Sequence, residues 1–396
     1  MKKLMILGGG PNQIPLIKAA KKNGYHVIVC DYSQSAPGVE LADELCLVSI
    51  MDKEGVLQAA REKQIDGVIS NSEPAMPIVA YVGNALGLPS NDYETVAAMT
   101  NKYAFRALLK EKGFAVPGFS AAKTLTEAET AFCQLKKPVM IKPEASSGSR
   151  GVKKLTKLSE LKEAFDEALA FSRTDRVILE EYIDNSCGHI VGGDIFISDQ
   201  KVVFWGLMSC LRDQENAPLV PMGKLFPAQL TLTQRQSIEA ELSKAAEALS
   251  IRFSAINVEM MIDPHGTVYI IELNPRNGGN YIPDVLLSAT GFDIFDATVR
   301  SAVGESILCR DGETCVPYLT YMVHASRPGI LRDVRFSKQI QPFIEAYLPD
   351  LHAGDRVEPF ANADKRIGVV ILRFQTVQQR DAMLAEIEDH ILVELE

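Results

Sequence analysis

Positive charge is scarce in this chain: 41 Lys and Arg stand against 51 Asp and Glu, a formal net charge of −10. Sequence-independent binding to a nucleic-acid backbone needs the opposite balance and is excluded on this ground. Any anionic ligand must be met by a few local basic residues. Paired cysteines are also lacking. The seven, at 30, 46, 133, 187, 210, 309 and 315, form no C-x-x-C and are odd in number. This argues against structural zinc and suits free thiols in a reducing cytoplasm. No apolar stretch reaches the roughly 20 residues of a membrane span. The opening Met1-Lys-Lys-Leu-Met-Ile-Leu-Gly-Gly-Gly imitates a signal peptide, but its apolar run is too short and enters a glycine turn, so it reads as a first strand. Internal repeats and low-complexity tracts are absent. What remains is 396 residues, 46% hydrophobic and 23% charged, enough for two or three domains with their own cores.

Up to about residue 95, short apolar strands (Leu4 to Leu7, Val27 to Cys30, Gly67 to Ser70) alternate with amphipathic helices near Ile14 to Asn23 and Lys53 to Lys63. That rhythm predicts a doubly wound parallel sheet. A capped helix from Asn101-Lys102 to Lys112-Gly113 follows, and Pro117 opens a new unit of strands and helices. The tail after about 305 mixes strands with a helix.

Two acidic strands, Asn257-Val-Glu259-Met-Met and Ile271-Glu272-Leu-Asn274-Pro-Arg276, are joined by the turn signal Asp263-Pro-His-Gly266. A loop of two or four residues would pair Asp263 with Gly266, setting Glu272 opposite Asn257 and Glu259 opposite Ile270. One face then carries Asn257, Glu259, Glu272 and Asn274, and the other Val258, Met260, Ile262, Tyr269, Ile271 and Leu273. Diagonal neighbours lie roughly 7 Å apart, close enough for two carboxylates and an amide to share divalent ions. The plain alternative is a solvated edge with chance acids.

Three further segments carry chemistry. Gly8-Gly9-Gly10-Pro11-Asn12-Gln13 sits where a dinucleotide fingerprint would, with Asp31 closing the second strand, but Pro11 and Gln13 break the pattern that a nicotinamide enzyme requires. The turn retains backbone N–H groups for a small anion, and Asn71-Ser72-Glu73-Pro74 ends a later strand at the same edge. Lys142-Pro-Glu-Ala-Ser146-Ser147-Gly148-Ser149-Arg150-Gly151-Val152 joins two strands through a small-residue loop that can fold over polyphosphate, Lys142 adding a point charge. Read plainly, it is a mobile hairpin loop. Val177-Ile-Leu-Glu180-Glu181-Tyr182-Ile183 is an apolar strand turning acidic, able to meet an adenine amino group or simply leaving the core.

In this order, basic helix start, lysine strand, glycine loop, acidic hinge and acidic hairpin with Asn and Arg, the chain resembles the ATP-grasp superfamily of carboxylate-amine and carboxylate-thiol ligases over essentially its whole length. Biotin carboxylase, carbamoyl phosphate synthetase and several purine enzymes belong to it. The resemblance implies an α/β chain: a pre-ATP-grasp domain over residues 1–95, an α+β ATP-grasp domain over 96–305 with a lid near 120–185, and a small α+β C-terminal domain over 306–396. It implies ATP contacts from Lys102, Lys142, Ser146, Ser147, Gly148, Ser149 and Gly151, and an adenine hinge of Glu180, Glu181, Tyr182 and Ile183. Glu259, Glu272 and Asn274 would hold two Mg²⁺, with Mn²⁺ as an alternative metal. Arg276, Lys142 and Asn274 would serve the phosphoryl transfer.

A glutamate that relatives place just past the hinge, for the ribose, is missing here; Asp184 or His189 would substitute, or the ribose is held differently. Asp194 matches an acidic position in some relatives. The implied reaction makes an acyl phosphate from a small carboxylate and joins it to an amine in the cytoplasm, releasing ADP and phosphate. The alternatives are a purine-pathway or biotin-carboxylase-like enzyme that activates bicarbonate, and a nucleotide-binding protein without turnover. Selection of the acid and amine is expected in Leu211-Arg212-Asp213 to Lys224, in Gly278 to Tyr281 and near Gly8 to Gln13; neither nucleic acid nor membrane is an expected partner, and relatives of this layout are often homodimers.

Overall fold

The computed structural model describes residues 1–146, 148, 150–184, 190–213, 217–308 and 315–396. Strands β1 (Lys3–Leu7), β2 (His26–Asp31), β3 (Glu44–Leu47) and β4 (Gly67–Ile69) form a parallel sheet in the order β3-β2-β1-β4. β1, β2 and β4 are continuous apolar runs because helices cover both faces. β3 escapes the sequence reading because its residues are only half-buried on an edge.

A second, antiparallel sheet, β5-β8-β6-β7, is built from β5 (Phe119–Ala122), β6 (Val139–Pro143), β7 (Lys153–Leu155) and β8 (Val177–Glu181). The helices Leu125–Gln134 and Leu161–Ala170 supply its core partners Phe132 and Phe165. The third and largest unit has eight strands in the order β13-β12-β9-β10-β11-β14-β18-β16, from β9 (Ile190–Ser198), β10 (Lys201–Asp213), β11 (Ala217–Phe226), β12 (Phe253–Ile262), β13 (Val268–Asn274), β14 (Tyr318–Val323), β16 (Ile344–Pro349) and β18 (Gly368–Arg373). β14, β16 and β18 come from the tail, so this sheet runs on through residue 305. The remaining strands, β15 (Gly329–Phe336), β17 (Arg356–Val357) and β19 (Ile391–Leu395), pair separately.

One face of the large sheet is apolar near β9 and β12: Val191, Ile197, Val258, Met260 and Ile262 pack on Ile238 and Leu242 of the helix Leu232–Ala248. β9 and β10 approach very closely. A Cβ on Gly193, whose φ is +114°, would lie 2.0 Å from the Gly206 carbonyl oxygen. Gly193→Ala is therefore expected to destabilise the protein by at least about 2 kcal/mol, from backbone strain plus overpacking. Urea unfolding checks this; a loss below about 0.5 kcal/mol would contradict the close approach.

The acidic hairpin departs from its expected register. Asp263 N–H reaches the Thr267 carbonyl at 3.0 Å and Gly266, at φ +84°, takes the left-handed position, so the loop holds three residues, not two or four. Met260 thus pairs with Ile270, one step from the expectation. A bulge at Ile271 then adds a second step, and Glu259 stands directly opposite Glu272, with Asn257 opposite Asn274. Two single slips restore the side-chain parity, so the polar face is as expected although the pairing is not. The apolar face changes instead: Val268 and Ile270 are buried, while Tyr269 and Ile271 turn to the polar side.

Candidate active site

A cleft of about 840 Å³ opens between the β5–β8 sheet, the polar face of the large sheet and the carboxyl edge of the N-terminal sheet. Lys102, first residue of the helix Lys102–Glu111, reaches Glu272 Oε1 at 3.5 Å and donates to the Ser146 carbonyl at 2.9 Å. Its own N–H donates to the Glu144 carbonyl at 3.0 Å, so this helix start is tied to the glycine loop. Gly148 and Arg150 also line the cleft; Ser147 and Ser149 lie outside the described residues. Gly151 serves packing, since a Cβ there would press on Phe171 and Ala168 at 3.0 and 3.1 Å.

Glu259 and Glu272 face each other with about a third of each side chain exposed. Arg212 Nη2 approaches Glu259 Oε1 at 3.1 Å, and Asn274 Nδ2 donates to Glu272 Oε2 at 3.2 Å. Burial pushes the Glu272 carboxyl up, but Lys102 and Lys142, with the Asn274 hydrogen bond, outweigh it and hold it below the usual range. Among the described residues no group of three or more His, Cys, Asp or Glu is placed to hold a metal ion by itself. Two carboxylates and an amide still fit Mg²⁺, which completes its shell with water and phosphate oxygens.

The hinge residues divide. Glu180 and Glu181 are consecutive in β8 and face opposite sides of it. Glu181 Oε1 accepts from Lys136 N at 3.0 Å, while Glu180 is 2% exposed and meets the Lys142 ammonium. Its other oxygen lies 2.7 Å from Arg106 Nε. The Glu180 side chain is thus taken up by Lys142 and Arg106, while Tyr182 and Ile183 line the cleft. Lys154 Nζ sits 3.7 Å above the Tyr182 ring. Arg106, 1% exposed, was not singled out from sequence, because a lone Arg inside a helix carries no spacing signal. It also donates to the carbonyl of Ile271, the bulge residue, at 2.9 Å.

Burial raises the Glu180 carboxyl, but Arg106 and Lys142 more than reverse this and bring it down from 4.5 to about 2. A group depressed on folding stabilises the native state above its unfolded pKa, and this is lost as pH falls from about 4.5 through about 2. Urea midpoints across that window are expected to fall more steeply for the parent than for Glu180→Gln. Parallel curves would refute the assignment.

Arg276 Nη2 lies 3.4 Å from Glu73 Oε2, and Arg173 Nη2 lies 3.6 Å from Glu73 Oε1, so the Asn71 to Pro74 turn closes one end of the cleft. Asp194 is fully buried, accepting from Asn257 Nδ2 and Gly278 N, both at 2.8 Å; it anchors the turn after Arg276. The first glycine turn is consumed internally: Asp31 Oδ2 accepts from Gly9 N at 2.7 Å and Oδ1 from Ser33 N at 2.8 Å. Both Asp31 oxygens thus brace the glycine turn and the loop after β2. Much of the stretch 211–224 is strand rather than loop, for β10 and β11 pair there through two irregularities. Pro218, Pro221 and Gly223 masked that strand in the sequence. His189 and residues 214–216 lie outside the described residues.

Residues 101–309, more than half of the chain, match the family model of the carbamoyl-phosphate synthase L chain, ATP binding domain. The chain belongs to this ATP-grasp family. Residues 4–85 match the PylC-like N-terminal domain. Among ATP-grasp relatives, the formate-dependent phosphoribosylglycinamide formyltransferase of Bacteroides thetaiotaomicron is 24% identical over 393 residues, 94% of this chain and 93% of its own. The uncharacterized protein y4rH of Sinorhizobium fredii is 28% identical over 246 residues, 61% of this chain; the chain spans about half (49%) of that relative's length. The crystal structure of L-amino acid ligase from Bacillus licheniformis shares the ATP-grasp fold at a TM-score of 0.82 and 21% identity, covering 100% of this chain and 99% of the other.

Proposed function

We propose that this chain is an ATP- and Mg²⁺-dependent ligase that converts a small-molecule carboxylate to an acyl phosphate and joins it to an amine. The observation that carries this reading is the opposition of Lys102 and Lys142 to Glu259, Glu272 and Asn274 across one cleft. A carboxylate oxygen would attack the γ-phosphorus and ADP would leave; the amine would then attack the acyl carbon, expelling phosphate and losing a proton. Such transfer needs charge neutralisation and positioning rather than a protein nucleophile. Glu259, Glu272 and Asn274 would hold two Mg²⁺ ions, which neutralise phosphate charge when bound. Lys102 and Lys142 would meet phosphate oxygens, with Ser146 and Gly148 covering them and Arg276 beside the transferring group. Tyr182 and Ile183 would flank the adenine.

The assignment of residues 1–95, 96–305 and 306–396 as successive domains belongs to the same reading, as does a homodimer. No helix of the described residues is long and apolar enough to cross a membrane. Cytoplasmic residence is supported by the free thiols of Cys30, Cys46, Cys133 and Cys210. The test is an ADP-release screen with Mg-ATP over amino acids, small carboxylates and amino sugars, with a bicarbonate arm. ADP release that requires both an acid and an amine is expected. Failure to bind Mg-ATP sinks the ligase reading, and release driven by bicarbonate alone replaces it with a bicarbonate-activating one.

A further inference from the structure

The row of residues that begins with Glu272 and Glu259 continues across the large sheet to Gly192 in β9. Next to it, β10 and β11 set Cys210 directly opposite Lys224. The Lys224 ammonium is 3.1 Å from Cys210 Sγ. A Cβ built on Gly192 would come within 2.6 Å of that ammonium and 2.7 Å of the sulfur. Lys224 is therefore folded back over β10 towards the two carboxylates, into a recess that exists because residue 192 has no side chain. Gly192 does not have the left-handed φ that would demand glycine, so its use here is space.

A thiol is a weak acceptor for an ammonium. Among the described residues Lys224 makes no ion pair with a carboxylate, while Arg212, two residues along β10 from Cys210 and 7% exposed, points at Glu259. A half-buried cation left with sulfur alone is costly, and an anion entering the cleft would repay that cost. We propose that Lys224, with Arg212 beside it, is the subsite for the carboxylate head group that the enzyme activates. This rests on the ligase reading and adds to it where the acid sits: at the β10–β11 end of the cleft, against the Glu259 side of the hairpin.

Cys210 serves as a built-in reporter. Iodoacetate and iodoacetamide both form a C–S bond with expulsion of iodide, and differ in carrying a carboxylate or a neutral amide. Alkylation of the full chain without nucleotide is followed by peptide mass spectrometry, with exposed Cys133 as the reference. The rate ratio of iodoacetate to iodoacetamide at Cys210 is expected to exceed that at Cys133 by about fivefold, the scale of one partly exposed ion pair. It should fall to the Cys133 value in Lys224→Met and persist in Lys224→Arg. In the unsubstituted chain, acetate should slow iodoacetamide at Cys210 while acetamide does not.

Equal ratios at the two cysteines, a ratio untouched by Lys224→Met, or protection by inorganic phosphate but not by acetate overturns the proposal. If neither reagent reaches Cys210, the recess is closed to small carboxylates and the proposal fails. No ATP enters this experiment, so its outcome is separate from whether Mg-ATP binds.

Discussion

Glu272→Gln is expected to lower Mg²⁺-dependent ADP release by about 1000-fold, roughly 4 kcal/mol of transition-state stabilisation. The change keeps the shape of the side chain and one acceptor oxygen and removes one negative charge opposite Glu259. Without metal, two carboxylates in direct cross-strand register repel each other. Lys102, Lys142 and Asn274 nevertheless outweigh that repulsion and hold the Glu272 carboxyl below its usual range, so the variant should unfold somewhat earlier than the parent in metal-free buffer, and should lose the stabilisation that Mg-ATP confers on the parent. ADP release with an active substrate pair, together with thermal unfolding with and without Mg-ATP, checks both halves. Undiminished turnover would return the hairpin to a solvated acidic edge.

Arg106→Met should have the largest effect on stability, a loss of about 3–5 kcal/mol, because it leaves Glu180 buried beside Lys142 with half its compensation gone. It also frees the carbonyl of the Ile271 bulge. Since Arg106 holds the bulge next to Glu272 and the carboxylate that holds Lys142, Mg-ATP affinity should fall as well. Arg106→Lys restores charge without the planar fork and should recover only part of the loss. Urea unfolding and calorimetric titration with Mg-ATP measure the two effects. A loss under about 1 kcal/mol would mean that the ion pairs around Glu180 are replaced by solvent at little cost.

The legible part of the site consisted of residues whose type and spacing are unusual in a short window. Lys102 at a capped helix start, Lys142 before a glycine loop, and two acids with an amide on one strand pair could be picked out without coordinates. Arg106 and Gly192 could not. An arginine inside an amphipathic helix and a glycine inside a strand each have a commoner local explanation, and their roles depend on partners on other elements. Glu180 was legible as an acid at a strand end, but its ion pairs with Lys142 and Arg106 depend on which face of β8 it occupies.

The sequence by itself determined the alternating N-terminal sheet, the polar face of the acidic hairpin, and the set of groups suited to ATP and Mg²⁺. These follow from periodicity and side-chain chemistry, which act over a few residues. Only the tertiary structure decided that Glu259 faces Glu272, that Arg106 joins the hairpin to Lys142, and that Lys224 lies in the space left by Gly192. A strand slips register by one residue at a bulge without any change in composition, and strands distant in sequence become neighbours only through the sheet order. Those geometric facts arise from packing the whole sheet.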